Sequence, residues 1–311
     1  MKNQDLPYRA LGRTGAQVSI IGVGGYHLGE PEEATAIRIV RGALDRGINF
    51  LDNCWDYHDG RSELRMGKAL RDGYRAKAFL MTKVDGRTKE SAAKQIDESL
   101  KRLGTDHLDV LQLHEVIRME DPDRFFSPGG AVEAFIEAQK AGKARFLGFT
   151  GHKDPHVHLY MLALAEQHGF HFDTVQLPLN VMDAHFRSFE KLVLPEAARQ
   201  EVAVLGMKAL GAGSVMESGT VTAMEALHYA MGLPGVAVTI NGMDSMERLE
   251  QGIEAALTFQ PWSAAQREAV LAKTKHVARH GHFEGYKTTP FFDGTAQNLE
   301  WLGGMGGLPA L

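Results

Sequence analysis

The chain has 311 residues, 44% hydrophobic and 23% charged, with 34 basic against 39 acidic side chains and a formal net charge of -5. This composition excludes a disordered or fibrous protein, and the lack of a Lys/Arg block argues against a nucleic-acid partner. The opening MKNQDLPYRALGRTG has no apolar run before a cleavage site, and no stretch reaches about 18 apolar residues, so a cytoplasmic setting away from membranes is expected.

In chain order, residues 8–19 carry Gly12-Arg13-Thr14-Gly15 between short apolar pieces and read as a β-hairpin, placed to cap one end of the fold. Short β-branched runs then alternate with helical patterns, as parallel strands joined by crossovers require. Strands are expected at 19–24, 49–52, 79–83, 108–114, 145–149, 173–177, 203–207 and 236–240. After the first, Ala36, Ile39, Val40, Ala43 and Leu44 recur at helical spacing and leave Arg38, Arg41 and Asp45 for solvent. Ser245 is placed to cap the helix after the last strand. Eight β/α rounds predict a (β/α)8 TIM barrel, with all of 1–311 as one domain. Two segments stand outside the repeat: the loop 114–130 and a Gly- and aromatic-rich tail, 280–311, read as a cover for the substrate side.

Reactive groups in such barrels gather at the C-terminal strand ends. Asp52 ends Asn49-Phe-Leu-Asp, Lys83 ends Phe79-Leu-Met-Thr-Lys, and His114 ends Leu108-Asp-Val-Leu-Gln-Leu-His, with Tyr57 five residues past Asp52. These residue types suit carbonyl reduction. A phenol can protonate the oxygen that becomes negative as hydride arrives. Its ordinary pKa of roughly 10 calls for a nearby cation, which Lys83 would supply with Asp52 holding it in place. His114 would donate a hydrogen bond to the same oxygen. The single cysteine, Cys54, can make no intrachain disulfide and is not expected to supply a cysteine-based zinc site, and is expected as a small packing residue; no metal is expected.

The segment Asp52-Asn-Cys-Trp-Asp-Tyr57-His-Asp-Gly60-Arg-Ser62-Glu63 resembles the Asp-x-x-x-x-Tyr-Gly-x-Gly-x-Ser-Glu signature of the aldo-keto reductases. The opening Tyr8-Arg-Ala-Leu-Gly-Arg-Thr-Gly is similar to the family's start. The resemblance implies an NAD(P)-dependent oxidoreductase acting on a small carbonyl compound or alcohol, with Asp52, Tyr57, Lys83 and His114 as catalytic residues. It places Gly25 and Tyr26 beside Asp52 at the nicotinamide end. Where the family has Ser-Asn after the fifth strand, this chain has Thr150-Gly151-His152, so His152 is the expected substitute for the missing amide, with Gln176 binding the same carboxamide. Met207 stands where many members place an aromatic ring on the nicotinamide, followed by Lys208, Leu210 and the Gly211, Gly213 and Ser214 loop near the pyrophosphate. The adenosine stretch carries Asp244, Arg248 and Gln251; Arg248 suits a 2′-phosphate and Asp244 opposes it, so NADP(H) is expected, with NAD(H) as the alternative. Trp55, Phe125, Phe126 and Trp301, with Phe292, are expected to wall a substrate pocket.

Two other functions fit parts of the pattern. A metal-dependent barrel hydrolase would use a pair such as His156-Val-His158 or His280-Gly-His282, but neither pair stands at a strand end. A non-catalytic nicotinamide-binding sensor would tolerate loss of the four catalytic residues, which are all present.

Overall fold

The structure is a computed structural model that describes residues 6–303, so residues 1–5 and the last part of the 280–311 tail, 304–311, lie outside the described residues. A hairpin of β1 (Tyr8–Ala10) and β2 (Gln17–Ser19) precedes eight parallel strands: β3 (Ile21–Gly24), β4 (Phe50–Asp52), β5 (Phe79–Val84), β6 (Leu108–Leu113), β7 (Ala144–Thr150), β8 (Thr174–Pro178), β9 (Ala203–Met207) and β10 (Val236–Gly242). β10 pairs with both β9 and β3, which closes the barrel. The expected first strand is thus split: Ser19 ends the hairpin and barrel pairing begins at Ile21, with the Ser19 hydroxyl donating to the Ile21 carbonyl at 2.7 Å.

Around the barrel run α1 (Glu33–Asp45), α2 (Arg61–Ala69), α3 (Lys89–Leu103), α4 (Asp121–Phe126), α5 (Ala131–Lys140), α6 (Pro155–Gln167), α7 (Phe189–Arg199), α8 (Ser214–Glu217), α9 (Ala223–Met231) and α10 (Met246–Thr258). The helix α3 shows how local sequence sets an element. The Thr88 side chain accepts from the Ser91 amide, Ala92, Ile96, Leu100 and Leu103 bury one face, and Gly104 ends it at φ 65. Ser245 caps α10 in the same way. On α1 the expected apolar face is buried, whereas Arg41 is half-buried, bonding the Ala69 carbonyl and Asp72.

Alternation along the strands decides which residues reach the site. Phe50, Phe79, Met81, Val110, Leu205 and Val238 fill the barrel interior, while Leu51, Leu80 and Leu111 face the helices. Leu11 and Val18 of the hairpin join the interior cluster, so the hairpin plugs the end where the strands begin.

Past α10 the chain continues through α11 (Ala264–Thr274), α12 (Gly285–Thr288) and α13 (Gly294–Gln297). The tail is tied down by buried charge. Lys287 Nζ donates to Asp183 Oδ1 at 2.6 Å and to the Phe186 carbonyl at 2.8 Å, and it pairs with Glu284 Oε1 at 2.8 Å. Replacing Lys287 with methionine leaves Asp183 and Glu284 buried without their cation, and is expected to lower unfolding free energy by about 3–5 kcal/mol. Urea unfolding checks this, and an unchanged midpoint would show that the pair does not hold the tail.

Candidate active site

Inward parity carries from the barrel interior to its C-terminal rim. Phe50 faces in, so Asp52 does; Met81 leads to Lys83, and Val110 leads through Gln112 to His114. Asp52 and Lys83 are 3% and 1% exposed, which makes their pairing obligatory. Lys83 Nζ donates to Asp52 Oδ1 at 2.5 Å, to the Asn53 carbonyl at 2.6 Å and to the Tyr57 hydroxyl at 3.3 Å. Burial raises the Asp52 pKa, and the Lys83 ammonium together with a bond from Gln176 pulls it back.

Tyr57 enters from the loop after β4, its ring edge-on to Tyr26 at 5.4 Å and to His114 at 5.8 Å. Burial, then Asp52, Cys54, Asp56 and Asp85, push its phenol well above the ordinary value. The sequence reading asked Lys83 to stabilise a phenolate. The cation is within reach and is shared between Asp52 and the phenol, and the surrounding carboxyl groups keep the phenol protonated at rest. A raised pKa makes the phenol a weaker acid, so proton release depends on Lys83 Nζ, 3.3 Å away, meeting the charge that appears on the phenol oxygen.

The His114 ring turns Nδ1 away from a lone role at the rim. Asp85 Oδ1 lies 2.8 Å from Nδ1, Cys54 Sγ 3.2 Å and Asp56 Oδ1 3.7 Å. Burial opposes charge on His114, but Asp85 and Asp56 outweigh it and raise its pKa. Asp56 itself is pushed up to about 7 by burial and Asp85, and Cys54 is pushed well up by burial. The sequence reading made Cys54 a packing residue and passed over Asp56 and Asp85. Asp85 had a readable signal, since it lies two residues past Lys83 and keeps the inward parity of β5.

The groups expected at the nicotinamide end meet at neighbouring strand ends. Thr150 pairs in register with Gln176, both are buried, and Thr150 Oγ1 and Gln176 Oε1 have no hydrogen-bond partner. A hydroxyl donor and an amide acceptor left open side by side fit a carboxamide. Gly25 leaves no room for a side chain, because a Cβ there would stand 2.4 Å from the Asp52 carbonyl oxygen; at Gly151 it would stand 2.2 Å from that of Val116. His152, expected to replace the missing amide, bonds Asp293 of the tail at 3.0 Å instead. Met207 ends β9, and Lys208 and Leu210 follow it. Lys208 Nζ sits over the Tyr286 and Phe292 rings at 5.1 and 5.0 Å, turned toward the tail, and burial lowers its pKa to about 8. Gly211 and Gly213 take positive φ values of 60 and 97, and the Ser214 hydroxyl bonds the Gly211 and Phe283 carbonyls. Arg248 and Asp244 are exposed on and just before α10, and Arg248 bonds Gln251 at 3.2 Å.

Of the expected substrate wall, Trp55 and Trp301 meet edge-on at 5.8 Å. Phe125 and Phe126 do not join them, a correction to the sequence reading. The loop 114–130 folds in part into α4, which uses both rings for packing: Phe125 is fully buried beneath Arg87, and Phe126 stacks on His168 and meets Phe170 edge-on. The tail reaches the rim through contacts that sequence did not flag. Glu115 accepts from the Gly294 and Thr295 amides at 2.9 and 2.7 Å, and Asp293 pairs with Lys153 at 2.8 Å. His156 and His158 lie on α6, and His280 and His282 are exposed, so neither histidine pair faces the rim.

The sequence pattern described as the Aldo/keto reductase family matches residues 20–223. Aldo-keto reductase YhdN of Bacillus subtilis (strain 168) is 30% identical over 216 residues, covering 64% of this chain and 61% of that protein. L-galactose dehydrogenase of Arabidopsis thaliana is 37% identical over 156 residues, covering 46% of this chain and 48% of that enzyme. The chain therefore spans about half to three-fifths of the length of these curated relatives. A solved aldo-keto reductase of Bacillus halodurans, in its holo form, superposes with a TM-score of 0.73 over 86% of this chain and 96% of that one; at 22% identity the likeness is one of fold.

Proposed function

Because this chain belongs to the aldo/keto reductase family of oxidoreductases, we propose that it interconverts a small aldehyde or ketone and its alcohol with NADP(H), using Tyr57 as general acid and base. The observation that carries this reading is the buried Asp52–Lys83 pair, whose ammonium reaches the Tyr57 hydroxyl at 3.3 Å. The reduced nicotinamide supplies the hydride when bound. Thr150 and Gln176, whose Oγ1 and Oε1 atoms are open, would hold and orient its carboxamide. Tyr57 Oη gives its proton to the carbonyl oxygen as negative charge develops there, and the charge left on the phenol is drawn toward Lys83 Nζ. His114, edge-on to the Tyr57 ring, donates a hydrogen bond to the substrate oxygen, with its Nδ1 anchored on Asp85. Trp55 and Trp301 supply apolar surface for the substrate.

Steady-state oxidation of NADPH and NADH against a panel of aldehydes and ketones tests the proposal. Turnover of at least one carbonyl class supports it. A chain that binds either reduced cofactor and turns over none would be a sensor rather than a reductase.

Cofactor choice follows from α10. Arg248 is exposed and suits a 2′-phosphate, whereas Asp244, exposed ahead of the Ser245 cap, repels it. Arg248→Ala is expected to weaken NADPH binding by about tenfold with little change for NADH, and Asp244→Ser to strengthen NADPH. Parallel titrations check both, and equal loss of the two cofactors in the Arg248 variant would remove the phosphate assignment.

A further inference from the structure

Cys54, Asp56, Asp85 and His114 offer one sulfur, one nitrogen and two carboxylate donors whose ligand atoms all lie within 4.8 Å of one another. Three of these side chains converge on a single nitrogen: Asp85 Oδ1, Cys54 Sγ and Asp56 Oδ1 stand 2.8, 3.2 and 3.7 Å from His114 Nδ1. One ring proton satisfies one of them. Asp85 is fully buried, and its Oδ2 has no hydrogen-bond partner; Asp56 Oδ1 has none either. His114 faces both carboxyl groups, but one imidazolium offsets only one of them, and the other nearby cations are engaged elsewhere. Lys83 is engaged with Asp52, and the Arg87 guanidinium bonds Asp121 and the backbone carbonyls of Asp85, His114 and Glu115. Buried carboxyl groups with open lone pairs are costly unless a cation meets them.

We propose that these four side chains form a zinc site at the rim of the barrel. A mixed sulfur, imidazole and carboxylate set suits zinc, which takes tetrahedral ligands at about 2.0–2.3 Å, so donors bound to one ion stand roughly 3.3–3.8 Å apart. Asp85 Oδ1 and Cys54 Sγ, at 2.8 and 3.2 Å, would move slightly away from Nδ1, and the widest donor pairs, within 4.8 Å of one another, would close by about 1 Å. Asp85 and His114 stand just past the ends of the adjacent strands β5 and β6, and Cys54 and Asp56 on the loop that follows β4. Bound through Nδ1, His114 keeps Nε2 as a hydrogen-bond donor, so the site is compatible with hydride transfer but does not depend on it.

The test reads metal binding rather than turnover. The full chain, stripped with a chelator, is titrated with Zn2+ by calorimetry and with Co2+ by absorption spectroscopy. One equivalent of each is expected to bind, the Co2+ form showing a sulfur-to-metal charge-transfer band and the intense visible bands of tetrahedral geometry. Cys54→Ser is expected to lose the charge-transfer band. Asp85→Asn is expected to weaken Zn2+ binding by more than the roughly 10–100-fold that loss of an outer-shell partner costs. Circular dichroism confirms that each variant is folded; if one is not, the spectrum of the native chain decides. No stoichiometric binding by the native chain, a Co2+ spectrum without the sulfur band, or unchanged affinity in both folded variants would overturn the site.

Discussion

Replacing Tyr57 with phenylalanine is expected to lower carbonyl reduction by about 10²–10⁴-fold while cofactor affinity stays near its parent value. The hydroxyl is the only atom lost. The ring keeps its edge contacts with Tyr26 and His114 and its place beneath Lys83 Nζ, 4.7 Å from the ring centre. The single bond removed is a long one, 3.3 Å from Lys83, so loss of stability stays below about 1 kcal/mol. The effect therefore falls on proton delivery to the carbonyl oxygen. Single-turnover kinetics beside a fluorescence titration of NADPH separate the two quantities. Near-normal hydride transfer by the variant would sink the acid role of Tyr57.

The barrel was legible because its two periodicities are clean. Phe50-Leu51-Asp52 and Phe79-Leu80-Met81 alternate between interior and helix-facing layers, and α1 shows five buried apolar residues at helical spacing. The same alternation made Asp52, Lys83 and His114 readable as rim residues. Closure was not legible, since it depends on β10 pairing with β3, a contact between the two ends of the repeat. Nor did sequence separate Trp55 and Trp301 from Phe125 and Phe126 as pocket walls. All four are aromatic, but Phe125 and Phe126 belong to α4, a helix of six residues too short for its apolar face to show as a period.

The cluster around His114 was hidden for a different reason. Cys54 and Asp56 share the loop after β4, Asp85 and His114 lie far along the chain, and each looks ordinary by itself; only the adjacency of β4, β5 and β6 brings them onto one nitrogen. Tail contacts were equally remote: Glu115 binds Gly294 and Thr295 across most of the chain, and His152 meets Asp293. The start of α11, by contrast, carries a local signal, a capping box in which Ser263 and Gln266 each bond the other's backbone.

Lys83→Met is expected to lower turnover by a similar factor of about 10²–10⁴ and, unlike the Tyr57 change, to cost stability as well. Asp52 is 3% exposed and receives its strongest bond, at 2.5 Å, from Lys83; after the change only Gln176, at 3.4 Å, remains. Leaving that carboxylate unpaired costs about 3–5 kcal/mol. Activity loss alone would thus be ambiguous between a missing cation and a disturbed barrel rim. A second substitution resolves it. Asp52→Asn in the Lys83→Met background removes the uncompensated charge, so the double variant is expected to regain most of the lost stability. It should not regain turnover, because Tyr57 still lacks the ammonium that draws off its charge as the proton leaves. Urea unfolding and single-turnover hydride transfer, measured on the two single variants and the double, give the two readouts. Recovery of hydride transfer together with stability would mean that Lys83 serves only to neutralise Asp52, and the proton-transfer role assigned to it would fail.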